Sequence, residues 1–429
     1  MQLAKRYNGE IINADAMQLY HGLPIITNKI PIEEQQGIPH HLLGTIPLDS
    51  TPWDVTDFKQ RAQNVMREIR SRGNLPILVG GTAYYVDALL FEGAILDELE
   101  QDSTKSFPIL DEPTEVILEE LKKVDPAMAS KWHPRDRRKI QRSLEIYLQT
   151  GRPASELYAE QAERKFSSQQ NNSRSDEPWE NLIFWVFSER EVLCNRLDSR
   201  VDKMFDGGLL DEVRELNEFK KQQSNAGQIV DMTKGIWQSI GFKQFEPYIN
   251  TDPTAPEPEL AKLKTAALED MKTATRRYAN YQTKWIRLKQ IPRLKERGPE
   301  AVESIYLMDS TDVSQFTANV VEPASTVVSQ FLSGNTMTNH LDISPLAREM
   351  LPNVLEPPPK ETPVQRTCDI CHTVLVTNEA WQRHIKGATH KRILKKKKKL
   401  ALVAVPDRDA TTAEEQDTTS DIDISALER

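Results

Sequence analysis

The plainest chemical spacing in the chain lies near its carboxyl end: Cys368-x2-Cys371-x12-His384-x5-His390. Two thiols on a tight knuckle followed by two imidazoles make a four-donor set of the kind that holds tetrahedral Zn²⁺. Trp381 falls between the ligand pairs as an apolar plug, and both histidines are expected on one helix. A unit of this size has almost no core, so metal binding is expected to supply its folding energy. Cys194 is the only other cysteine, and a Cys-x-x-Cys pair in so cysteine-poor a chain argues for metal in a reducing compartment rather than for disulfides.

A different chemistry is written near the amino end. Glu10 to Ala14 reads as a short buried strand, and Asp15 follows it, with Gln18 one helical turn on. In an open parallel sheet the carboxyl ends of the strands are where ligands sit. Asp15 therefore reads either as a carboxylate that meets a substrate or as a cap for the next helix. Leu75 to Val79 reads as a second buried strand, followed by Gly80-Gly81-Thr82 and a helix from Ala83. That order lets backbone amides approach a phosphate or a ribose, although two glycines also make an ordinary tight turn. Arg138 and Arg142, four apart in the basic run Asp136 to Glu145, project from one helix face. They suit nucleic-acid phosphates or a solvated surface. Arg200, beside Asp198 and Asp202, reads on its own as a surface ion pair. Thr275 to Trp285 interleaves Arg276, Arg277 and Lys284 with Tyr278, Tyr281 and Trp285, a mixture suited to RNA backbones and splayed bases, or in part to core packing. His40 and His41 point to opposite faces of a strand, one structural and one facing solvent.

These groups need elements to hold them. The 429 residues allow two or more domains, and a formal charge of −9 confines nucleic-acid contact to local patches. No apolar run is long enough to span a bilayer, no secretory leader is visible, and the chain reads as a soluble intracellular protein. Met1 to Tyr7 has the pattern of the last turns of a helix, stopped at Asn8-Gly9, which implies a segment upstream. A helix is expected from Phe58 to Arg70, with Phe58, Ala62, Val65, Met66 and Ile69 on one face. A polar stretch from Ile95 begins a helical insertion within 95–180, Gln161 to Glu177 reads as a surface loop, and Leu182 to Phe187 as another buried strand. Arg200 to Val213 is expected on one helix. A strand and a helix between Ile305 and Leu332 complete a core domain of 1–332. Residues 333–363 read as a linker, 364–394 as the finger, and 395–429 as a basic, then acidic and disordered tail, with Lys395 to Lys399 extending the finger's helix as a basic stripe that grips phosphates or serves nuclear import.

Gly9 to Tyr20, Thr27-Asn-Lys29, His40-His-Leu42, Leu78 to Tyr85, Gly235 to Lys243 and Thr275 to Trp285 occur in an order that resembles the tRNA dimethylallyltransferases, in their eukaryotic, zinc-finger-bearing form. The resemblance runs from about Gln2 to Leu332 and resumes near Cys368; the long His-x5-His gap is similar to RNA-associated and matrin-type fingers. It implies an α/β fold with a P-loop-kinase-like parallel sheet, a helical insertion and a C-terminal two-Cys two-His finger. The activity implied is transfer of a dimethylallyl group from its diphosphate to the exocyclic amine of the adenosine immediately 3′ of the anticodon. Asp15 would take the amine proton, Arg200 would face the donor diphosphate, and Thr82 would lie beside the tRNA. Asp15, Ala16, Met17 and Gln18, then Arg138, Lys139, Ile140, Gln141 and Arg142, then Arg276, would contact tRNA. Cofactors implied are structural Zn²⁺ on Cys368, Cys371, His384 and His390, and Mg²⁺ with the donor. Partners are the tRNA anticodon stem-loop and dimethylallyl diphosphate; a monomer is expected, in cytoplasm and mitochondrion, with the lysine run adding the nucleus. Two departures stand out. Ala16 occupies a position where the family usually has serine. No Gly-Lys-Ser or Gly-Lys-Thr occurs, so the family's nucleotide-type phosphate loop is not within these residues, whether through a mis-assigned start or an incomplete isoform. Three rivals follow: a catalytically inactive tRNA-binding protein, a zinc-finger RNA adaptor with a scaffold sheet, and a nucleotide kinase.

Overall fold

The computed structural model describes residues 1–91, 107–170, 180–228, 230–356 and 363–403. The chain divides into two units, 1–95 with 176–357, and 96–175 with 358–429.

In the first unit β1 (Gly9–Asn13) is buried along its whole length, with the polar Glu10 and Asn13 buried beside Ile11 and Ile12. It is paired in parallel on both sides, with β2 (His40–His41) and with β3 (Leu75–Val79). A second parallel pair joins β4 (Ile183–Phe187) to β5 (Ile305–Asp309). The helix Gln2–Arg6 leads in, and Asn8 rather than Gly9 takes the left-handed turn, at φ 49°. The helix Val55–Ser71 opens on a reciprocal cap between Asp54 and Asp57 and buries Phe58, Ala62 and Ile69. Phe58 stacks on Tyr85 at 4.0 Å between ring centroids.

Several expectations need correction. β3 and β4 are not buried strands. Each has a strand partner on one side only among the described residues, and Val79 and Val186 are 52% and 54% exposed. An apolar run cannot distinguish a central strand from an edge. The helix Ala154–Gln170 covers the first part of the expected Gln161–Glu177 loop; good helix formers carry it past the point where apolar periodicity stops. Residues 171–177 lie outside the described residues, as does the acidic tail beyond 403. Arg200 to Val213 is not one helix but the end of Arg190–Asp206 and the start of Leu209–Asn225, separated at Gly208, whose φ of 107° suits glycine. The expected linker contains the helix Pro345–Leu355, capped by Ser344, with Ala347, Leu351 and Val354 buried against the β4–β5 layer. Its i, i+4, i+7 spacing was obscured by the prolines around it.

In the second unit the helices Thr114–Val124 and Arg137–Thr150 share a core of Ile117, Leu121, Ile140 and Leu144. The finger opens with the antiparallel pair β6 (Pro363–Thr367) and β7 (Val374–Thr377) and continues through the helices Asn378–Lys386 and Ala388–Val403. The expected basic stripe therefore begins on a helix.

Candidate active site and metal cluster

The carboxyl ends of β1 and β3 meet at a backbone contact that only glycine permits. A Cβ on Gly80 would lie 2.3 Å from the Ala14 carbonyl carbon. Gly80 thus serves strand closure, not the approach of a ligand. The Ala14 amide donates to the Val79 carbonyl at 2.8 Å and the Thr82 amide to the Ala14 carbonyl at 3.2 Å, locking the two loops together.

Asn13, buried at the end of β1, holds the turn that follows. Its Nδ2 donates to the Asp15 carbonyl at 3.0 Å and to the Leu42 carbonyl at 2.9 Å, and its Oδ1 accepts from the Asp15 amide at 3.1 Å. Asp15 is half-buried, and its Oδ1 accepts from the Met17 amide at 2.9 Å. Ala16, not Asp15, is the N-cap of the short 3-10 turn Met17–Leu19, so the plain cap reading survives only as this one bond that Asp15 accepts from the turn's first amide. Burial nevertheless raises the pKa of Asp15 above the usual carboxylate range; the Met17 and Gln18 amides, then Lys29 and Arg200, pull the other way. A carboxylate raised by desolvation is one poised to take a proton.

Thr82 starts the helix Ala83–Leu90 without capping it. Its Oγ1 instead accepts from the Ala16 amide at 2.9 Å. Tyr278 hydrogen-bonds Thr82 and donates to the Gly81 carbonyl at 3.3 Å, where Gln282 Nε2 also donates at 3.1 Å. Burial, with Asp15 nearby, pushes Tyr278 up to about 12, so it is a neutral donor here. Arg200 is exposed, yet the walls around it lower its pKa while Asp15 raises it. The two neighbouring carboxylates that suggested a surface ion pair are occupied elsewhere: Asp198 takes Arg276 at 2.5 Å and Asp202 takes Lys272 at 2.8 Å. Arg200 is therefore electrostatically joined to Asp15 rather than to its own helix.

The other candidates separate. Ala16, Met17 and Gln18 share the Asp15 turn, and Gln18 Nε2 reaches the Asn28 carbonyl at 3.2 Å. Arg276 pairs with Asp198 and so ties two helices. Arg138 is exposed, Gln141 half-buried, Lys139 pairs with Asp136 at 2.7 Å, and Arg142 bonds Glu145 at 2.7 Å. Ile140 is fully buried, so the expected five-residue strip is not a continuous surface; position 140 faces the core that Arg138 and Arg142 leave. Sequence reading missed Asn13, Tyr278 as a brace, Gln282 and Glu212. The one available signal was Asn13, a polar residue directly after the apolar pair Ile11-Ile12 at the strand's end.

The metal candidates do converge. Sγ of Cys368 and Cys371 lie 3.6 and 3.4 Å from His390 Nδ1, and His384 Nε2 lies 3.1 Å from the same nitrogen. All four donor atoms fall within 4.8 Å of one another. A tetrahedron with zinc–sulfur and zinc–nitrogen bonds has edges of about 3.3–3.8 Å; the three separations from His390 are close to that, and the widest edge would draw in around the ion. Burial, then Cys368, pushes the Cys371 thiol up, the crowding a cation would relieve. The two histidines do not share one helix: Gly387, extended at ψ 150°, breaks it between them. Five intervening residues exceed one helical turn, and the break lets both rings meet. Trp381 is half-buried, with its ring 6.4 Å from that of His384.

A family model described as IPP transferase matches residues 18–289. A tRNA dimethylallyltransferase of Schizosaccharomyces pombe is 37% identical over 423 residues, covering 94% of this chain and 92% of its own. The Homo sapiens tRNA dimethylallyltransferase is 33% identical, covering 94% and 84%. A crystal structure of a eukaryotic dimethylallyltransferase acting on tRNA is similar with a TM-score of 0.74 and 33% identity, over 93% of each chain.

Proposed function

The chain belongs to the IPP transferase family, and from that premise we propose that it transfers a dimethylallyl group from dimethylallyl diphosphate to the exocyclic amine of the adenosine 3′-adjacent to the anticodon in certain tRNAs. The single observation that carries the assignment of roles is Asp15, a carboxylate raised by burial at a strand end, with two cations in electrostatic range. The adenosine amine is a weak nucleophile because its lone pair is delocalised into the purine. As its nitrogen bonds to the allylic carbon, the carbon–oxygen bond to the diphosphate breaks and the amine proton passes to Asp15. Arg200 is assigned to the departing diphosphate, where fixed positive charge stabilises the charge that develops. Thr82, held between the Ala16 amide and Tyr278, orients the turn against the RNA. The base must leave the loop's stack to reach this site, at a cost of a few kcal/mol.

Ala16, Met17, Gln18 and exposed Arg138, with Lys139, Gln141 and Arg142 beside it, are proposed for tRNA; Arg276 is retained as the brace that frees Arg200. Zn²⁺ is proposed on Cys368, Cys371, His384 and His390, where it supplies folding energy and no step of transfer. Mg²⁺ is proposed to arrive with the donor diphosphate; none of the residues at this end of the sheet is assigned to it. A monomer, and residence in cytoplasm, mitochondrion or nucleus, are part of the same reading. The inactive, adaptor and kinase rivals gain nothing from the relatives, each of which carries the transferase name.

The test is label transfer from radiolabelled dimethylallyl diphosphate to an anticodon stem-loop. Label is expected on RNA with adenosine 3′ of the anticodon and absent when that base is guanosine. Equal labelling of both would overturn the reading.

A further inference from the structure

The segment Leu23 to Lys29 does more than connect elements. Leu23 and Asn28 both hold positive φ, at 51° and 52°, a conformation that non-glycine residues keep only when their surroundings impose it. The surroundings are visible. Glu212, buried on the helix Leu209–Asn225, accepts from the Ile25 amide at 2.9 Å and the Ile26 amide at 2.7 Å. Gln18, from the Asp15 turn, donates to the Asn28 carbonyl. The strain places one side chain. Lys29 Nζ donates to the Gly22 carbonyl at 2.6 Å and to Thr27 Oγ1 at 2.9 Å, so its half-buried ammonium is fixed rather than swinging in solvent. Its Cε stands 3.9 Å from where a Cβ on Gly44 would lie, and the Gly44 amide donates to the Gln18 carbonyl of the Asp15 turn at 2.8 Å, so the ammonium is held beside that turn, where its charge acts on Asp15.

We propose that Lys29 is a positioning residue for the transfer: its anchored ammonium keeps the Asp15 carboxylate ionised in a desolvating turn, so that Asp15 can accept the amine proton. This rests on Asp15 being the proton acceptor. The groups that act on Asp15 are Lys29 and Arg200, with Tyr278 and Tyr85 raised by it in turn; those that act on Lys29 are Glu212 and Asp15. Burial brings Lys29 down to about 8, against the pull of Glu212 and then Asp15. Its charge is therefore present at neutral pH and lost as pH rises past that value. Arg200 keeps its charge throughout that range, so the pH sensitivity of the pair belongs to Lys29.

The experiment is a carbon-13 titration of the Asp15 carboxyl in the full chain, assigned by loss of its signal in Asp15→Asn, beside the pH profile of single-turnover transfer. Lys29→Gln is expected to raise the Asp15 midpoint by up to about one pH unit, the lower end for an opposite charge that is near but not in contact. It should carry the acid limb of the rate profile up by the same amount, and Lys29→Arg should restore both. A midpoint unmoved in Lys29→Gln would overturn the proposal. So would equal loss of rate in Lys29→Gln and Lys29→Arg with no shift in the limb, which marks a purely structural lysine. If Lys29→Gln does not fold, Lys29→Met, which keeps the aliphatic stem, gives the same reading. Wild-type transfer by Asp15→Asn would instead overturn the base assignment, whatever Lys29 does.

Discussion

Glu10 and Asp15 sit at opposite ends of one strand, and the protein treats their charges in opposite ways. Glu10, 4% exposed, receives Arg72 at 2.8 Å, Asn74 at 2.7 Å and His41 at 2.6 Å. Arg72 first, then Asn74 and His41, outweigh its burial and bring its pKa down to about 2. Asp15 receives backbone amides and keeps its cations at a distance, and burial wins. At one end of β1 the charge is fully engaged and belongs to the fold. At the other it is left partly uncompensated, which costs stability and leaves a proton acceptor.

The sharpest way to break this contrast is Asp15→Asn, which keeps shape and the Met17 bond. Single-turnover transfer is expected to fall by about 10²–10⁴, the usual loss with a general base. A group whose folded pKa is raised stabilises the fold while protonated and loses that contribution as pH rises. At neutral pH the thermal midpoint of Asp15→Asn should therefore match or exceed that of the parent. A lowered midpoint would place Asp15 with Glu10 among structural charges.

The finger presents the contrast a third way, since its crowded thiols call for a cation from outside. Metal analysis should give one zinc per chain, lost in Cys371→Ser. Chelation should unfold 366–394 and leave transfer chemistry at the Asp15 turn intact. An ordered finger after chelation would separate it from the metal.

Glu10→Gln should do what Asp15→Asn does not: destabilise the fold by about 2 kcal/mol, read from denaturant midpoints, with transfer per folded molecule unchanged. The sign follows from its lowered pKa. The contribution is complete above the ordinary 4.5 and is lost as pH falls from there to about 2, so the parent should lose stability more steeply than Glu10→Gln across that window. Parallel acid curves would show the network to be inert.

The smallest effect concerns RNA. Replacing Arg138 with glutamine should lower the log–log salt slope of tRNA binding by roughly 0.9 for a duplex phosphate contact. An unchanged slope would assign this exposed arginine to solvent.

The sequence conveyed local structure well and long-range partnership poorly. β1 was legible from the apolar Ile11, Ile12 and Ala14 ahead of a polar turn, and the helix from Val55 from the apolar face that Phe58, Ala62 and Ile69 make. The metal set was legible from spacing alone. Arg200 was not: its neighbours Asp198 and Asp202 are its nearest carboxylates in sequence, but Arg276 and Lys272, more than sixty residues away, claim them. The hold of Asn13 on Leu42 and that of Tyr278 and Gln282 on Gly81 are likewise contacts between distant segments, which no local pattern encodes. Ile140 failed for a related reason, since a basic run was read as one surface although its apolar member turns inward.

β3 and β4 have a further consequence, for handling rather than catalysis. Among the described residues each has a strand partner on one side only, as β2 and β5 also do, and each bears a solvent-facing valine near its end. One sticky edge would let molecules pair and stop. More than one on a molecule lets strand addition between copies propagate instead of closing. Strand addition at these edges is expected to make loss on concentration steep in protein concentration, and light scattering should show it reduced by lysine in place of Val79 or Val186.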